Sequence, residues 1–243
     1  MSDARLSFVG YSQLYVTGLP FESADIEMYI GSYLTFGNMS PKTPLRRPYE
    51  YFEDKLHPFA SGVFVFLGHL LVDLVSFGLI FWLFLSQIEN APASFTNALG
   101  ELLFGFLIMS VIIYVLAWLI VGAIMHLLSG GEGNYTDALG VAGWAYAPEI
   151  ITAPVSMVIA WRYVQGLDLD WENQAQFRAE IEAIESASHD PLAVLIVFVV
   201  VLWSVYILAK GTAATHEVPV SKTVLPAVLV GVGSLALTIL GMA

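Results

Sequence analysis

The chain consists of long apolar stretches separated by short polar ones. From Phe59 to Leu85 it runs for 27 residues in which only His69 and Asp73 can carry charge. A helix needs about 20 apolar residues to cross the hydrocarbon core of a bilayer, so this stretch predicts a transmembrane helix. The pattern repeats, and the predicted spans lie near residues 59–86, 100–128, 137–161, 191–210 and 223–242. We therefore expect an all-α fold, a polytopic transmembrane bundle of five helices.

Composition supports this class. Hydrophobic residues make up 57% of the chain and charged residues 12%, whereas a soluble domain carries about a quarter charged residues. The absence of cysteine from the sequence excludes disulfides and thiolate metal sites. The net charge of −12 argues against nucleic acid as a partner and is typical of a halophilic archaeon, with an acidic mesophilic protein as the alternative. We expect a multi-pass protein of the cell membrane that contacts the lipid bilayer.

Two regions are predicted from the change in polarity along the chain. Residues 1–58 form a polar and aromatic N-terminal region, and residues 59–243 form the membrane domain. Apolar residues at helical spacing predict a short amphipathic helix in the first region. They are Ile26, Tyr29, Ile30, Tyr33 and Leu34. The region ends in a segment that three prolines should keep stiff and non-helical. These are Pro41, Pro44 and Pro48.

The positions of the nine Lys and Arg residues predict the orientation. If the N-terminus is cytoplasmic, seven of the nine lie inside, and only Arg162 and Arg178 lie outside, as the positive-inside rule favours. The loop over residues 164–190 is then external and carries a strong negative charge. Phe177, Ile181 and Ile184 fall on one stripe and predict a helix within this loop. A solvated cap on the bundle and a cation site are both open interpretations of its carboxylates.

Three ionisable residues are predicted to lie at membrane depth. His69 and Asp73 are four residues apart and share a helix face, and Glu149 lies midway along the third span. A lone charge at this depth costs a few kcal/mol or more, so such groups usually face the bundle interior and are paired or neutral. They are a candidate polar cluster that passes protons or holds an ion. The alternative is an internal tie that only fixes helix packing. Glu101 and His126 lie near span ends and need no special role.

The third span is expected to be irregular. Pro148 removes the amide that would bond to the carbonyl of Trp144, and Pro154 does the same for Ile150. The helix should therefore kink or break near Ala147. A broken helix beside an acid is found in many transporters, but kinks also serve to fit a bundle together.

The glycine-rich turn over residues 129–134 is not a phosphate-binding loop, because no Gly-Lys-Ser/Thr follows it and no strand precedes it. Its glycines are expected to end one helix and turn the chain, with Asn134 or Thr136 starting the next. No residue is marked as a nucleophile, and the five histidines are too scattered to predict a metal site. We therefore expect no enzymatic activity and no cofactor.

Several segments together resemble the Yip domain family, five-span membrane proteins named for the interaction with Ypt and Rab GTPases. The similarity is clearest in the glycine-rich turn and the start of the third span. The residues concerned are Gly130, Gly131, Glu132, Gly133, Asn134, Tyr135, Ala138, Leu139, Gly143, Trp144, Ala145 and Pro148. Weaker similarities lie in residues 48–52 and 216–226. The resemblance implies a cytoplasmic N-terminus and a five-helix bundle, with no catalytic residues. The acidity and the long third loop depart from the eukaryotic pattern.

Two functions are carried forward. The first is a non-enzymatic membrane protein of the Yip type that organises membrane or recruits protein partners, or further copies of itself, through residues 1–58 and the loops. The second is a small transporter or channel in which His69, Asp73 and Glu149 line a path opened at Pro148. The sequence alone does not choose between them.

Overall fold

The computed structural model describes residues 42–54, 58–187 and 191–242. The described residues form eight helices and two short strands. The helices are α1 (Pro48–Glu53), α2 (Pro58–Ser86), α3 (Ala93–Ser129), α4 (Tyr135–Trp144), α5 (Ala147–Gln165), α6 (Gln174–Ala187), α7 (Pro191–Thr215) and α8 (Val220–Met242). The strands are β1 (Ile88–Glu89) and β2 (Leu169–Asp170). The amphipathic helix predicted between residues 26 and 34 lies outside the described residues.

Among the described residues, four helices are long and apolar enough to cross a membrane, namely α2, α3, α7 and α8. Their outer faces expose large apolar side chains that water would not tolerate in such numbers. Examples are Phe64, Trp82, Leu102, Leu127, Leu225 and Leu237. The protein is therefore a helical, multi-pass membrane protein whose outer surface contacts lipid.

Some helices begin earlier or end later than predicted, because capping residues or packing extend the helix beyond the apolar stretch. Helix α3 begins at Ala93 rather than near residue 100, because Pro92 stops the preceding chain and the polar first turn still forms helix. Helix α7 continues to Thr215 because its last turns are buried in the bundle. The prediction of a non-helical linker is wrong from Pro48 onward. Pro48 is the first residue of α1, a position where its missing amide costs nothing.

The region predicted as the third span is two helices. Helix α4 ends at Trp144, and α5 begins at Ala147. The amide of Tyr146 bonds to the carbonyl of Gly143 at 3.3 Å, a tight turn that ends the α-helical ladder. Pro148 lies in the first turn of α5, where a proline is well tolerated, and Pro154 lies inside α5.

One end of the bundle is held together by a buried apolar core. Phe52 of α1 is 1% exposed and packs with Met125, Val141 and Ile207 from α3, α4 and α7. At Gly211 an added Cβ would meet Val141 and Phe52 at under 3 Å, so only glycine lets these helices approach so closely. The N-terminal part of the described chain is thus part of the bundle.

The glycine-rich turn closes the same end. Gly130 and Gly131 have φ angles of +65° and +91°, which favour glycine. The side chain of Asn134 accepts a hydrogen bond from the amide of Asp137 at 2.9 Å and caps α4. The amide of Glu132 donates to the carbonyl of His216 at 3.1 Å. The turn is thereby tied to the end of α7.

The other end carries the acidic loop. Strands β1 and β2 pair in parallel, with Ile88 opposite Leu169. Leu169 is fully buried and packs with Leu83 and Val164. Phe177 and Ile181 of α6 pack against this small core. Phe177 and Ile181 of the predicted stripe thus face protein, and the carboxylates of Asp168, Glu172 and Glu182 are exposed.

Candidate functional site

The three ionisable residues predicted at membrane depth meet in the structure. The Nε2 atom of His69 lies 3.5 Å from Oδ2 of Asp73 and 3.4 Å from Oε2 of Glu149. His69 and Asp73 come from successive turns of α2, and Glu149 comes from the first turn of α5. We call these three residues the intramembrane cluster. It links α2 to α5 through His69 and Glu149, which are 80 residues apart in the sequence.

Two tyrosines enclose the imidazole of His69. The ring of Tyr146 stacks on it with centroids 4.7 Å apart and an interplanar angle of 22°. The ring of Tyr114, from α3, meets it edge-on at 5.2 Å and 90°. Sequence reasoning missed both tyrosines. The available signal was a tyrosine within an otherwise apolar span, where its hydroxyl needs a polar partner.

The break between α4 and α5 positions Glu149. Because the α-helical ladder stops at Ala145, α5 starts afresh with the amide of Glu149 bonded to the carbonyl of Tyr146 at 3.1 Å. Glu149 is therefore in a first turn, where the positive end of a helix dipole favours a carboxylate. The same turn presents Tyr146 to His69. Residues 145–149 thus contain the helix break, the carboxylate of Glu149 and the ring of Tyr146 that stacks on His69.

Close contact of α2 with α4 brings His69 to this point. Gly62 faces Gly140 and Gly143, with backbone against backbone and no room for a Cβ at any of the three. The indole nitrogen of Trp144 donates to Oγ of Ser61 at 3.1 Å. His69 lies two turns further along α2, which places it level with the break.

Burial restricts the charge states that the intramembrane cluster can adopt. His69 is 1% exposed, and within the described residues neither of its ring nitrogens has a hydrogen-bond partner. The two carboxylates are just beyond the 2.7–2.9 Å of a charge-assisted hydrogen bond. At membrane depth an uncompensated charge is costly. An imidazolium beside one carboxylate and one carboxylic acid is a neutral arrangement, so the cluster can take up or release a proton.

A second pair of ionisable residues meets near the end of α7. The Nδ1 atom of His126 lies 3.2 Å from Nε2 of His216, and Oγ1 of Thr215 lies 3.1 Å from Nδ1 of His216. No role was predicted for His126, because its partner is 90 residues away in the sequence. Burial of the His216 side chain, followed by the nearby His126, lowers the pKa of His216 below its ordinary value of 6.5. Asp137 acts in the opposite direction.

The acidic loop offers no comparable site among its described side chains. Arg178 pairs with Glu182 at 3.8 Å, and both side chains are exposed, a kind of pair that contributes little. Asn90 donates to Asp170 at 3.1 Å and joins the two ends of the strand pair. Within residues 42–54, 58–187 and 191–242, no group of three or more His, Asp or Glu side chains is arranged to hold a metal ion.

Comparison with known families gives a match over most of the chain. The model of the Yip1 domain matches residues 31–241. This range includes α1, the glycine-rich turn, the intramembrane cluster and all four helices that are long enough to span. No curated protein and no solved structure matches the chain.

Proposed function

Since the chain belongs to the Yip1 domain family, we propose that this multi-pass membrane protein acts without catalysis and recruits protein partners to one face of the membrane. The observation that carries the proposal is the attachment of residues 42–54, here called the anchored segment, to the bundle. The indole of Trp203 donates to the carbonyl of Leu45 at 2.9 Å. The hydroxyl of Tyr206 donates to the carbonyl of Arg46 at 3.1 Å.

The anchored segment presents a preorganised polar surface. Phe52 is buried beneath it, while Tyr49 is 37% exposed. Lys42 pairs with Asp54 at 2.7 Å, and Arg47 pairs with Glu50 at 3.2 Å. A surface that is already ordered loses less conformational entropy when a partner binds. This supports a docking role for the segment that precedes the first span.

We further propose five crossings with the anchored segment on the cytoplasmic side. Helix α4 starts beside the end of α7, and α5 ends beside β2, so the two together reach from one end of the bundle to the other. Five cations of the described residues lie at the end of the anchored segment and two at the other, which favours this orientation. The first group is Lys42, Arg46, Arg47, Lys210 and Lys222, and the second is Arg162 and Arg178.

Photo-crosslinking in native membranes tests recruitment. A photoreactive amino acid at Tyr49 is expected to give discrete protein adducts, and the same group at Glu172, on the opposite end, is the matched control. The substitution Trp203→Phe removes the hydrogen bond to Leu45 and keeps an aromatic ring, so it should lower the yield at Tyr49 several-fold. Identical adducts at both positions, or none at Tyr49, would contradict the proposal.

A second function, a small transporter or channel that couples to protons, is favoured by the meeting of His69, Asp73 and Glu149. If the cluster carries protons, Asp73→Asn and Glu149→Gln each abolish proton-coupled flux in liposomes while the protein stays folded. Glu101→Gln changes an exposed acid in the third turn of α3; it is the control and should leave flux unchanged. Loss of folding in the cluster variants would instead support a packing role.

A further inference from the structure

A cavity of about 330 Å³ lies between α3, α5, α7 and α8. Its walls are mainly apolar, and Ile120, Leu229 and Leu237 at its rim are each more than half exposed. Because these side chains lie on the outer face of spanning helices, the cavity opens toward lipid rather than water. Its volume is within the range of small-molecule sites, roughly 300–1,000 Å³.

The cavity ends at the break between α4 and α5. Tyr146 and Glu149 form part of its wall, and Ser204 and Ser234 add two hydroxyls. The hydroxyl of Ser204 donates to the carbonyl of Ala145 at 2.6 Å, so it covers a carbonyl freed by the break. Among the residues that line the cavity, Glu149 is the one acidic or basic side chain apart from the phenol of Tyr146.

Glu149 is open to this space. Its side chain is 40% exposed, although it also reaches His69 at 3.4 Å. It is one of the residues that line the cavity, so part of its exposed surface faces this space. A carboxylate in such a place is favoured by a cationic partner, and His69 approaches it from one side only.

We propose that the cavity binds a lipophilic amine, an apolar molecule with one basic nitrogen that pairs with Glu149. Lipid tails are as apolar as the cavity walls, so a plain hydrocarbon gains little by leaving the bilayer for the cavity. A cation gains much more, because the carboxylate supplies a charge partner that the hydrocarbon core lacks. Charge complementarity therefore selects the amine over a neutral chain. This inference does not depend on the recruitment function.

Glycine residues of the spanning helices provide matched variants. Gly233 lines the cavity, and a Cβ there would meet no atom within 4 Å, so Gly233→Leu adds apolar bulk to the cavity from a position with room for a Cβ. Gly105 of α3 also has open space around it but is not among the residues that line the cavity. Gly105→Leu is therefore the control for added apolar bulk on a lipid-facing helix.

Equilibrium binding to the full chain in nanodiscs tests the proposal. The probes are radiolabelled N,N-dimethyldecylamine and, as the neutral analogue, 1-decanol, with empty nanodiscs of the same lipid as background. We expect saturable amine binding at least about tenfold tighter than that of the alcohol, a difference lost in Glu149→Gln. Gly233→Leu should abolish saturable binding, and Gly105→Leu should retain it.

Two results would overturn the proposal. Equal affinity of the amine and the alcohol for the wild-type protein would show an apolar pocket without charge selection. Saturable binding that survives Gly233→Leu would place the amine elsewhere. Because Gly233→Leu leaves Glu149 in place, the test remains decisive if Glu149→Gln fails to fold.

Discussion

The packing of α2 against α4 requires that Gly62 has no Cβ atom. A Cβ on Gly62 would overlap the backbone carbonyl of Gly140, and backbone cannot rotate aside as a side chain can. We predict that Gly62→Ala lowers the free energy of unfolding by about 1–3 kcal/mol or more, measured by thermal unfolding in detergent. Gly78→Ala is the control on the same helix, since a Cβ there meets nothing within 4 Å. Equal melting temperatures for both variants would contradict the close packing.

The histidine pair predicts a pH dependence. The pKa of His216 is lowered in the folded state, chiefly by burial and then by His126, so the fold favours the neutral imidazole. The unfolded chain binds the proton first as the pH falls through its ordinary value of 6.5. The stabilisation by neutral His216 is therefore complete above that pH and is lost below it.

Thermal unfolding between pH 7.5 and 5 measures this effect. The titratable groups that act on the pKa of His216 are His126 on α3 and Asp137 on α4. His216→Gln removes the titrating ring, so its melting temperature should fall less steeply with decreasing pH than that of the wild type. Parallel curves for the two proteins would assign the slope to other groups.

At the residue scale, the sequence predicts what local spacing controls. The positions of His69 and Asp73 on one face follow from their four-residue separation, and the depth of Glu149 follows from its place in an apolar stretch. The approach of Glu149 to His69, and of Tyr114 to the same ring, depends on how three helices pack. That packing depends on the contact between Gly62 and Gly140, which the periodicity of the sequence does not reveal.

At the element scale, Asn134 controls the start of α4. Its side chain accepts the amide hydrogen of Asp137, and the loss of such a cap typically costs about 0.5–2 kcal/mol. We predict that Asn134→Ala destabilises the protein by an amount in this range, measured by thermal unfolding. Asn134→Asp keeps a capping oxygen and should stay close to the wild type. Equal destabilisation by both changes would show that the amide, not the cap, matters.

Helix termini were the least predictable feature of the elements. The positions of Pro148 and Pro154 were enough to predict an interruption, and the structure breaks the helix at residues 145–146. The extent of α7 was not predictable in the same way, because residues 211–214 are not strongly apolar and yet are buried in the bundle as part of the helix. The prolines act through the backbone, whereas the end of α7 depends on tertiary contacts.

At the scale of the whole molecule, the two ends of the bundle differ in charge. The end with the anchored segment carries most of the described cations, and the end with β1, β2 and α6 carries an excess of acids. That asymmetry is visible in the sequence once the spans are known. Whether α4 and α5 together cross the membrane decides whether the asymmetry corresponds to two sides of it.

Because the chain contains no cysteine, single cysteines can report the side of each loop. Glu132 precedes α4, Glu172 follows α5, and both are exposed. If the broken helix crosses the bilayer, Glu172→Cys reacts with a membrane-impermeant maleimide in intact cells, and Glu132→Cys reacts only after permeabilisation. Labelling of both from one side would mean that α4 and α5 return to the face they left. Glu50→Cys, in the anchored segment, should behave like Glu132→Cys, which ties that segment to the cytoplasmic side.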